Sequence, residues 1–232
     1  MGCVSIISRA GWGAAPPKST PTKMAVPTAD VVIHHSAGPC EDDLPQSEEA
    51  ARLRSIQSLH QRPESEGGRN FNDIAYNFLV FPSGRAYEGR GWGIKGGHLF
   101  DPLNSTIVGI CFVGQYDSGY PSPQTPTPEA IAACEGIIAE GLERGYISEG
   151  FEVTGHSDYQ QKACPGDSLY ALLSRFEEVD DVALTEEQEA ALAFLADIKI
   201  GVDKKVAGGG TPPKDKEPDR FLGWKLAKLA GL

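Results

Sequence analysis

The feature that most constrains the fold is a near-continuous apolar run from Thr106 to Val113, midway along the 232-residue chain. Both faces of such a strand must be buried, so it fits the centre of a sheet that is covered on both sides. The β-branched run from Val31 to His35 predicts a second strand. The predicted elements follow in the order strand, helix, hairpin, strand, helix, strand, helix. This order predicts an α/β fold with a central mixed β-sheet flanked by three main helices.

Local signals place the remaining elements of this fold. Ser47, followed by two glutamates, predicts the start of a helix that Pro63 ends. Thr127, followed by proline and glutamate, predicts the start of a second helix. The other predicted elements are a hairpin with strands at 76–81 and 85–88, a strand at 151–154 and a helix at 167–176.

Composition changes near the end of the chain and predicts three regions. Residues 1–178 carry the patterns of the α/β domain, and residues 179–203 have helical spacing. Residues 204–232 contain a Gly-Pro-rich linker and a short basic amphipathic helix. We expect this helical C-terminal extension to serve in targeting to an anionic surface or in self-association.

Charge and cysteine content exclude several classes of protein. The net charge of −11 argues against nucleic-acid binding, which needs clustered lysine and arginine. No apolar run approaches the roughly 18 residues of a transmembrane span, and the first residues do not resemble a secretory signal peptide. Five cysteines without a CxxC pair indicate a protein made in a reducing cytosol.

Two distant segments together suggest a metal site. His156 and Cys164 lie eight positions apart in a segment that ends Cys-Pro-Gly, and His34 and His35 lie far upstream. Neighbouring residues on a strand point to opposite faces, so only one of these two histidines can face a given site. Two imidazoles and one thiolate with an open fourth position form the donor set of a hydrolytic zinc. Such a zinc lowers the pKa of a water toward ~7 and makes it a nucleophile.

Eight segments within about residues 5–178 carry motifs of a known family, in that family's order. They are Ser8–Ala14, Ile33–Gly38, Arg54–His60, Asp73–Val80, Tyr87–Trp92, Gly97-His98, Thr106–Gly114 and His156–Gly166. In these segments the chain resembles the family of peptidoglycan recognition proteins and type-2 N-acetylmuramoyl-L-alanine amidases.

This resemblance implies Zn²⁺ as cofactor and His34, His156 and Cys164 as its ligands. It implies that Tyr76 and Lys162 assist catalysis by stabilising the developing oxyanion, and that one of them passes a proton to the leaving amine. The reaction it implies is hydrolysis of the amide between N-acetylmuramic acid and L-alanine in bacterial peptidoglycan.

The resemblance also implies a groove that binds the muropeptide. The Asn70-Phe71 pair matches the form that the family associates with lysine-type stem peptides, whereas diaminopimelate-type relatives tend toward Gly-Trp. The residues that match groove positions are His60, Arg69, Asn70, Phe71, His98 and Asn104.

Two departures from the animal members of the family bear on the biology. Cys40 matches the first cysteine of their loop disulfide, but Gln46 occupies the place of the second, and the loop at 61–69 is longer. We therefore expect a bacteriophage endolysin that is made in the host cytoplasm and acts on the cell wall after release. The alternatives are a bacterial autolytic or recycling amidase and a non-catalytic peptidoglycan-binding receptor. Cys164 favours the enzyme, because binding-only members lack this thiolate.

Overall fold

The computed structural model describes residues 4–181, and they form one six-stranded mixed sheet. The strand order is β1-β4-β3-β5-β2-β6, in which β3 and β4 are antiparallel and all other neighbours are parallel. The strands are β1 (Ile6–Ile7), β2 (Thr28–His35), β3 (Phe78–Val80), β4 (Ala86–Glu88), β5 (Ile107–Phe112) and β6 (Ile147–Gly155).

Helices cover both faces of the sheet, as the sequence predicts. Leu53 of α2 packs with Leu79 and Cys111 on one face, whereas α3 and α5 pack on the other. The helices are α1 (Arg9–Trp12), α2 (Gln46–Gln61), α3 (Pro128–Glu143), α4 (Asp167–Tyr170) and α5 (Leu173–Glu177). Single 3-10 turns lie at Glu64–Glu66, Leu103–Ser105, His156–Asp158 and Glu178–Asp181.

The apolar run predicted as a central strand is confirmed. Strand β5 lies between β3 and β2, and all of its residues are buried. The predicted start of the second helix is also confirmed, since the Thr127 hydroxyl accepts a hydrogen bond from the main-chain N of Ala130. Cys111 and Cys134 are buried in the two halves of the core.

Three local predictions are wrong in detail. The helix predicted at 167–176 is two short helices, α4 and α5. Strand β6 begins at Ile147, earlier than predicted, because its pairing partner β2 extends back to Thr28. Ser47 does not cap α2, which already begins at Gln46 with Pro45 as its N-cap.

The domain continues slightly beyond residue 178, since the 3-10 turn Glu178–Asp181 contributes the buried Val179 to the core. The predicted helical segment, linker and basic terminal helix fall at residues 182–232, outside the described residues, and stay predictions. Within residues 4–181, none of the helices combines the length and apolar character that crossing a bilayer requires.

Candidate metal centre

Two neighbouring parallel strands bring the predicted ligands His34 and His156 to one edge of the sheet. His34 is the penultimate residue of β2, and His156 directly follows β6. Parallel strands end on the same side, where sites in α/β proteins commonly form. The turn after β6 is fixed by Asp158, whose carboxylate accepts hydrogen bonds from Gly155 N at 2.7 Å and from the Tyr170 hydroxyl at 2.7 Å.

The structure brings His34, His156 and Cys164 together. Their candidate ligand atoms lie within 4.8 Å of one another. The Cys164 Sγ lies 3.6 Å from Nδ1 of His34, and the His34 and His156 ring centroids are 4.7 Å apart. Nε2 of His156 is buried and has no hydrogen-bond partner among the described residues. A buried nitrogen without a partner is unfavourable unless a ligand completes it, so these residues fit a tetrahedral zinc.

The adjacent histidines point to opposite faces, and His34 is the one that faces Cys164. The His35 ring lies on the other side of the strand, where its Nδ1 accepts a hydrogen bond from Tyr116 N at 3.4 Å. The main chain of His35 contacts the cluster, because its N–H donates a hydrogen bond to the Cys164 Sγ at 3.3 Å. Such a bond favours the thiolate form of the cysteine.

Burial sets the protonation of the cluster in the absence of metal. It lowers the pKa of His34 well below the usual range, with a smaller effect from His98. It lowers the pKa of His156, helped by the nearby Lys162 ammonium. It raises the pKa of Cys164 to about 12, although the His35 N–H and Lys162 oppose it. A divalent ion that binds here therefore meets two neutral imidazoles and replaces the thiol proton.

Tyr76 and Lys162, the predicted assisting groups, lie on two sides of the cluster. Tyr76 precedes strand β3, and its ring centroid is 5.3 Å from that of His34. Burial raises the pKa of its hydroxyl well above the usual value, and the Cys111 thiol beside it adds to this shift. Lys162 is exposed, yet close enough to lower the pKa values of both His156 and Cys164.

Four of the predicted groove residues lie at the end of α2 and in the loop that follows it. The loop folds back so that Arg69 N and Phe71 N donate to the Leu59 and His60 carbonyls at 3.1 and 2.7 Å. These bonds satisfy carbonyls that a helix end leaves free. They also hold the Phe71 ring 5.7 Å from the His60 ring.

Within this loop, Asn70 has a positive φ of 55°, and its carboxamide oxygen accepts a hydrogen bond from the Lys18 ammonium at 2.7 Å. Arg69 and Asn70 are exposed, so their side chains are available to a ligand. Contact of these four residues with a muropeptide stays a prediction.

The structure places His98 and Asn104 deeper than the loop residues. His98 is 6% exposed and its Nδ1 lies 3.0 Å from Nε2 of His34. The Asn104 Oδ1 accepts hydrogen bonds from the main-chain N of His98 and Leu99, both at 2.9 Å. Asn104 therefore uses its carboxamide within the protein, and His98 uses its Nδ1 there.

Sequence reasoning missed three contacts of this centre. They are the pairing of His98 with His34, the Cys111 thiol beside Tyr76, and the main-chain N–H of His35 on Cys164. The partners lie 64 and 129 positions apart in the first and last of these contacts. Only the packing of strands and loops reveals them.

Comparison with known proteins agrees with this architecture. Residues 25–167 match the Amidase_2 family, described as N-acetylmuramoyl-L-alanine amidase. Peptidoglycan recognition protein 1 of Bos indicus is 34% identical over 174 residues, which span 75% of this chain and 85% of the relative. Peptidoglycan-recognition protein SC2 of Drosophila melanogaster is 36% identical over 171 residues, covering 72% and 83%.

Solved structures give the same result. Peptidoglycan recognition protein-LE in complex with tracheal cytotoxin, a monomeric diaminopimelic acid-type peptidoglycan, matches with a TM-score of 0.65 and 34% identity, covering 73% of this chain and 92% of that one. Wild-type Drosophila PGRP-LB matches with a TM-score of 0.64 and 31% identity, covering 74% and 93%. The chain therefore belongs to the family of type-2 N-acetylmuramoyl-L-alanine amidases and peptidoglycan recognition proteins.

Proposed function

We propose that this protein is a zinc-dependent N-acetylmuramoyl-L-alanine amidase that cleaves the bond between N-acetylmuramic acid and L-alanine in peptidoglycan. The observation that carries the proposal is the convergence of His34, His156 and Cys164 within 4.8 Å. The family contains both amidases and receptors, so the fold alone does not decide between them. The Cys164 thiol supports the amidase, because the binding-only members lack a cysteine at this position.

The buried cluster and its two neighbours account for the chemistry. When bound, zinc supplies a Lewis acid that polarises the amide carbonyl and activates water for attack. His34, His156 and Cys164 would hold it. The Tyr76 hydroxyl keeps its proton because burial raises its pKa, so it is a hydrogen-bond donor to the developing oxyanion. Lys162 adds positive charge from the solvent side and is a candidate proton donor to the leaving amine.

The loop after α2 supplies the groove in this proposal. His60 and Phe71 present adjacent rings, and Arg69 offers an exposed guanidinium to a carboxylate of the stem peptide. These residues orient the substrate so that its lactyl amide reaches the cluster. Two related structures contain bound tracheal cytotoxin, which supports a muropeptide as the substrate class.

For the biological role we propose host lysis by a bacteriophage endolysin. Cys40 is a free thiol, without the loop disulfide of the animal proteins. Free cysteines at 40, 111, 134 and 164 suit synthesis in a reducing compartment. An autolytic or recycling amidase of a bacterium would share the same chemistry.

The test is mass spectrometry of purified sacculi after incubation with zinc-loaded protein. We expect peptides with free L-alanine amino termini to be released. Cys164→Ser should abolish release and weaken zinc binding by more than about 100-fold, since it removes a ligand. Cys40→Ser is the matched control, because it alters a buried thiol outside the cluster, and it should leave release intact. Binding to sacculi without release by the unmodified, zinc-loaded protein would instead identify a receptor.

A further inference from the structure

The two nitrogens of the His34 ring have different neighbours. Nδ1 faces the Cys164 Sγ at 3.6 Å. Nε2 faces Nδ1 of His98 at 3.0 Å, with the two rings edge to face at 75°. Both histidines are more than nine-tenths buried. The nitrogen that is available to a metal beside Cys164 is therefore Nδ1.

These neighbours determine which nitrogen carries the proton in each of the two rings. A ligand nitrogen must offer a lone pair, so a metal on Nδ1 of His34 requires the ring proton on Nε2. That N–H donates to Nδ1 of His98, which must in turn be unprotonated. A neutral imidazole whose Nδ1 carries no proton has its proton on the other nitrogen, so His98 carries its proton on its own Nε2.

The protein holds the His98 ring in place from three directions. Asn104 accepts hydrogen bonds from the main-chain N of His98 and of Leu99, and donates from Nδ2 to the Leu99 carbonyl at 2.8 Å. Gly96 and Gly109 lie against the ring. A Cβ on Gly96 would come 2.4 Å from its Cδ2, and a Cβ on Gly109 would come 2.5 Å from the same atom. The ring therefore occupies a slot that has room because two residues lack side chains.

We infer that His98 is a positioning residue of the metal centre, which accepts the Nε2–H of His34 and so directs Nδ1 of His34 to the metal. Asn104 in turn positions His98 through hydrogen bonds to the main chain of His98 and Leu99. The inference rests on the proposed function, because it assigns a role around the proposed zinc ligands. Ligand histidines generally donate their second N–H to a carboxylate, a carbonyl or water. In this protein the acceptor is a second, neutral imidazole, that of His98.

The first experiment reads the tautomers directly and needs no variant. Long-range ¹H–¹⁵N spectra of the histidine-labelled full chain distinguish protonated, unprotonated and metal-bound ring nitrogens. With zinc, we expect His34 to bind through Nδ1 and to carry its proton on Nε2, and His98 to carry its proton on Nε2. Without zinc, the proton of His34 should already be on Nε2. A proton on Nδ1 of His34 in the metal-free protein, or zinc on its Nε2, would overturn the inference.

The second experiment measures zinc affinity by competition with a chromophoric chelator. His98→Leu removes the acceptor and should weaken binding by about 10- to 100-fold. His98→Asn, whose carboxamide oxygen lies near the position of Nδ1, should restore affinity to within a few-fold of the unmodified chain. His60→Asn is the matched control, because it alters a partly buried histidine outside the ligand set, and should not change zinc affinity.

These measurements separate the two proposals. If the unmodified chain binds no zinc, the proposed function fails and the role at the metal fails with it, whereas the metal-free tautomer of His34 still shows whether His98 accepts its Nε2–H. If zinc binds the unmodified chain and a folded His98→Leu variant equally well, the inference fails and the proposed function stands. Thermal unfolding of each metal-free variant shows whether it is folded.

Discussion

Two buried polar clusters lie on the α2 side of the sheet, and they differ in whether their polar atoms are satisfied. In the first, which we name the Glu49 cluster, the carboxylate accepts from the Ser83 hydroxyl at 2.5 Å, Arg85 Nε at 2.6 Å and the Tyr87 hydroxyl at 2.6 Å. In the second, the histidine cluster of His34, His98, His156 and Cys164, the buried Nε2 of the predicted ligand His156 lacks a hydrogen-bond partner among the described residues.

A structural cluster and a functional cluster differ in whether every buried polar group is paired within the protein. A buried polar network with every member paired stabilises a single arrangement of the chain. A network that leaves buried nitrogens unpaired lowers stability, and the cost is offset only when something binds. The Glu49 cluster ties α2 to the β3–β4 hairpin and is complete. The histidine cluster is incomplete in the protein alone, which is what a metal centre requires.

Breaking the Glu49 cluster should have the largest effect on stability. Glu49→Ala leaves Tyr87, whose hydroxyl is buried, and Arg85 without their shared acceptor, so we expect the free energy of unfolding to fall by about 3 kcal/mol. Zinc affinity should not change, because no ligand is touched. Urea denaturation and chelator competition measure the two quantities.

Glu48→Ala is the matched control for this variant, since it removes a glutamate from the same turn at an exposed position. We expect its unfolding free energy to stay within about 0.5 kcal/mol of the unmodified chain. Equal losses for the two variants would show that the Glu49 cluster does not stabilise the fold.

The two clusters also differ in how far sequence predicts them. The histidine cluster is predictable because its histidines and cysteine stand at family positions, and the resemblance implies that His34, His156 and Cys164 are ligands. The Glu49 cluster carries no such signal, because a glutamate in the first turn of a helix is ordinarily read as an exposed helix-dipole partner. Burial of Glu49 follows from the packing of α2 on the hairpin, which a linear pattern does not contain.

In the fold, too, the elements that sequence predicts are those set by local patterns, and the elements it misses depend on distant contacts. Strand β5 and the Thr127 cap are predictable because burial on both faces and capping are local properties of the sequence. Local patterns do not predict the two-residue strand β1, which pairs with β4. They also do not predict the break between α4 and α5. The strand and the break depend on contacts with distant segments. For His98 the resemblance indicated a groove position, and only the structure shows its contact with His34.

Acid should destabilise the metal-free protein, because burial lowers the pKa of all five histidines of the chain. Below pH 6.5 the unfolded chain takes up protons that the folded, metal-free protein does not, so the free energy of unfolding falls as the pH falls. His60, whose pKa burial lowers to about 4, alone accounts for a loss of about 2 kcal/mol between pH 8 and pH 5.

Urea denaturation of the metal-free protein across this pH range measures the loss. His60→Asn should reduce it by about 2 kcal/mol, because asparagine does not titrate while its oxygen can still accept the hydrogen bond that Ala75 N donates to His60 Nδ1. A stability that is flat from pH 8 to pH 5, or a slope that His60→Asn leaves unchanged, would contradict the buried neutral state of these rings.

The smallest effect that we expect is on the preference between muropeptide types. It comes from the exposed loop after α2, which lies outside both clusters. The Asn70-Phe71 pair predicts a preference for lysine-type stem peptides. Asn70 has a φ of 55°, a conformation that glycine adopts without strain, so Asn70→Gly with Phe71→Trp should fold normally. We expect the ratio of affinities to shift toward diaminopimelate-type muropeptides by on the order of 1 kcal/mol, about fivefold.

Calorimetric titration of metal-free protein with both muropeptide types avoids turnover and gives this ratio. Lys18→Met is the matched control, because it removes the hydrogen bond from Lys18 to Asn70 at 2.7 Å without changing the pair. If that control shifts the ratio as much as the double variant does, then loop position rather than residue identity sets the preference. If the unmodified protein already favours diaminopimelate-type muropeptides, the expectation from the Asn-Phe pair is wrong for this chain. The buried clusters would be unaffected in either case, since the loop meets α2 through main-chain hydrogen bonds that neither substitution removes.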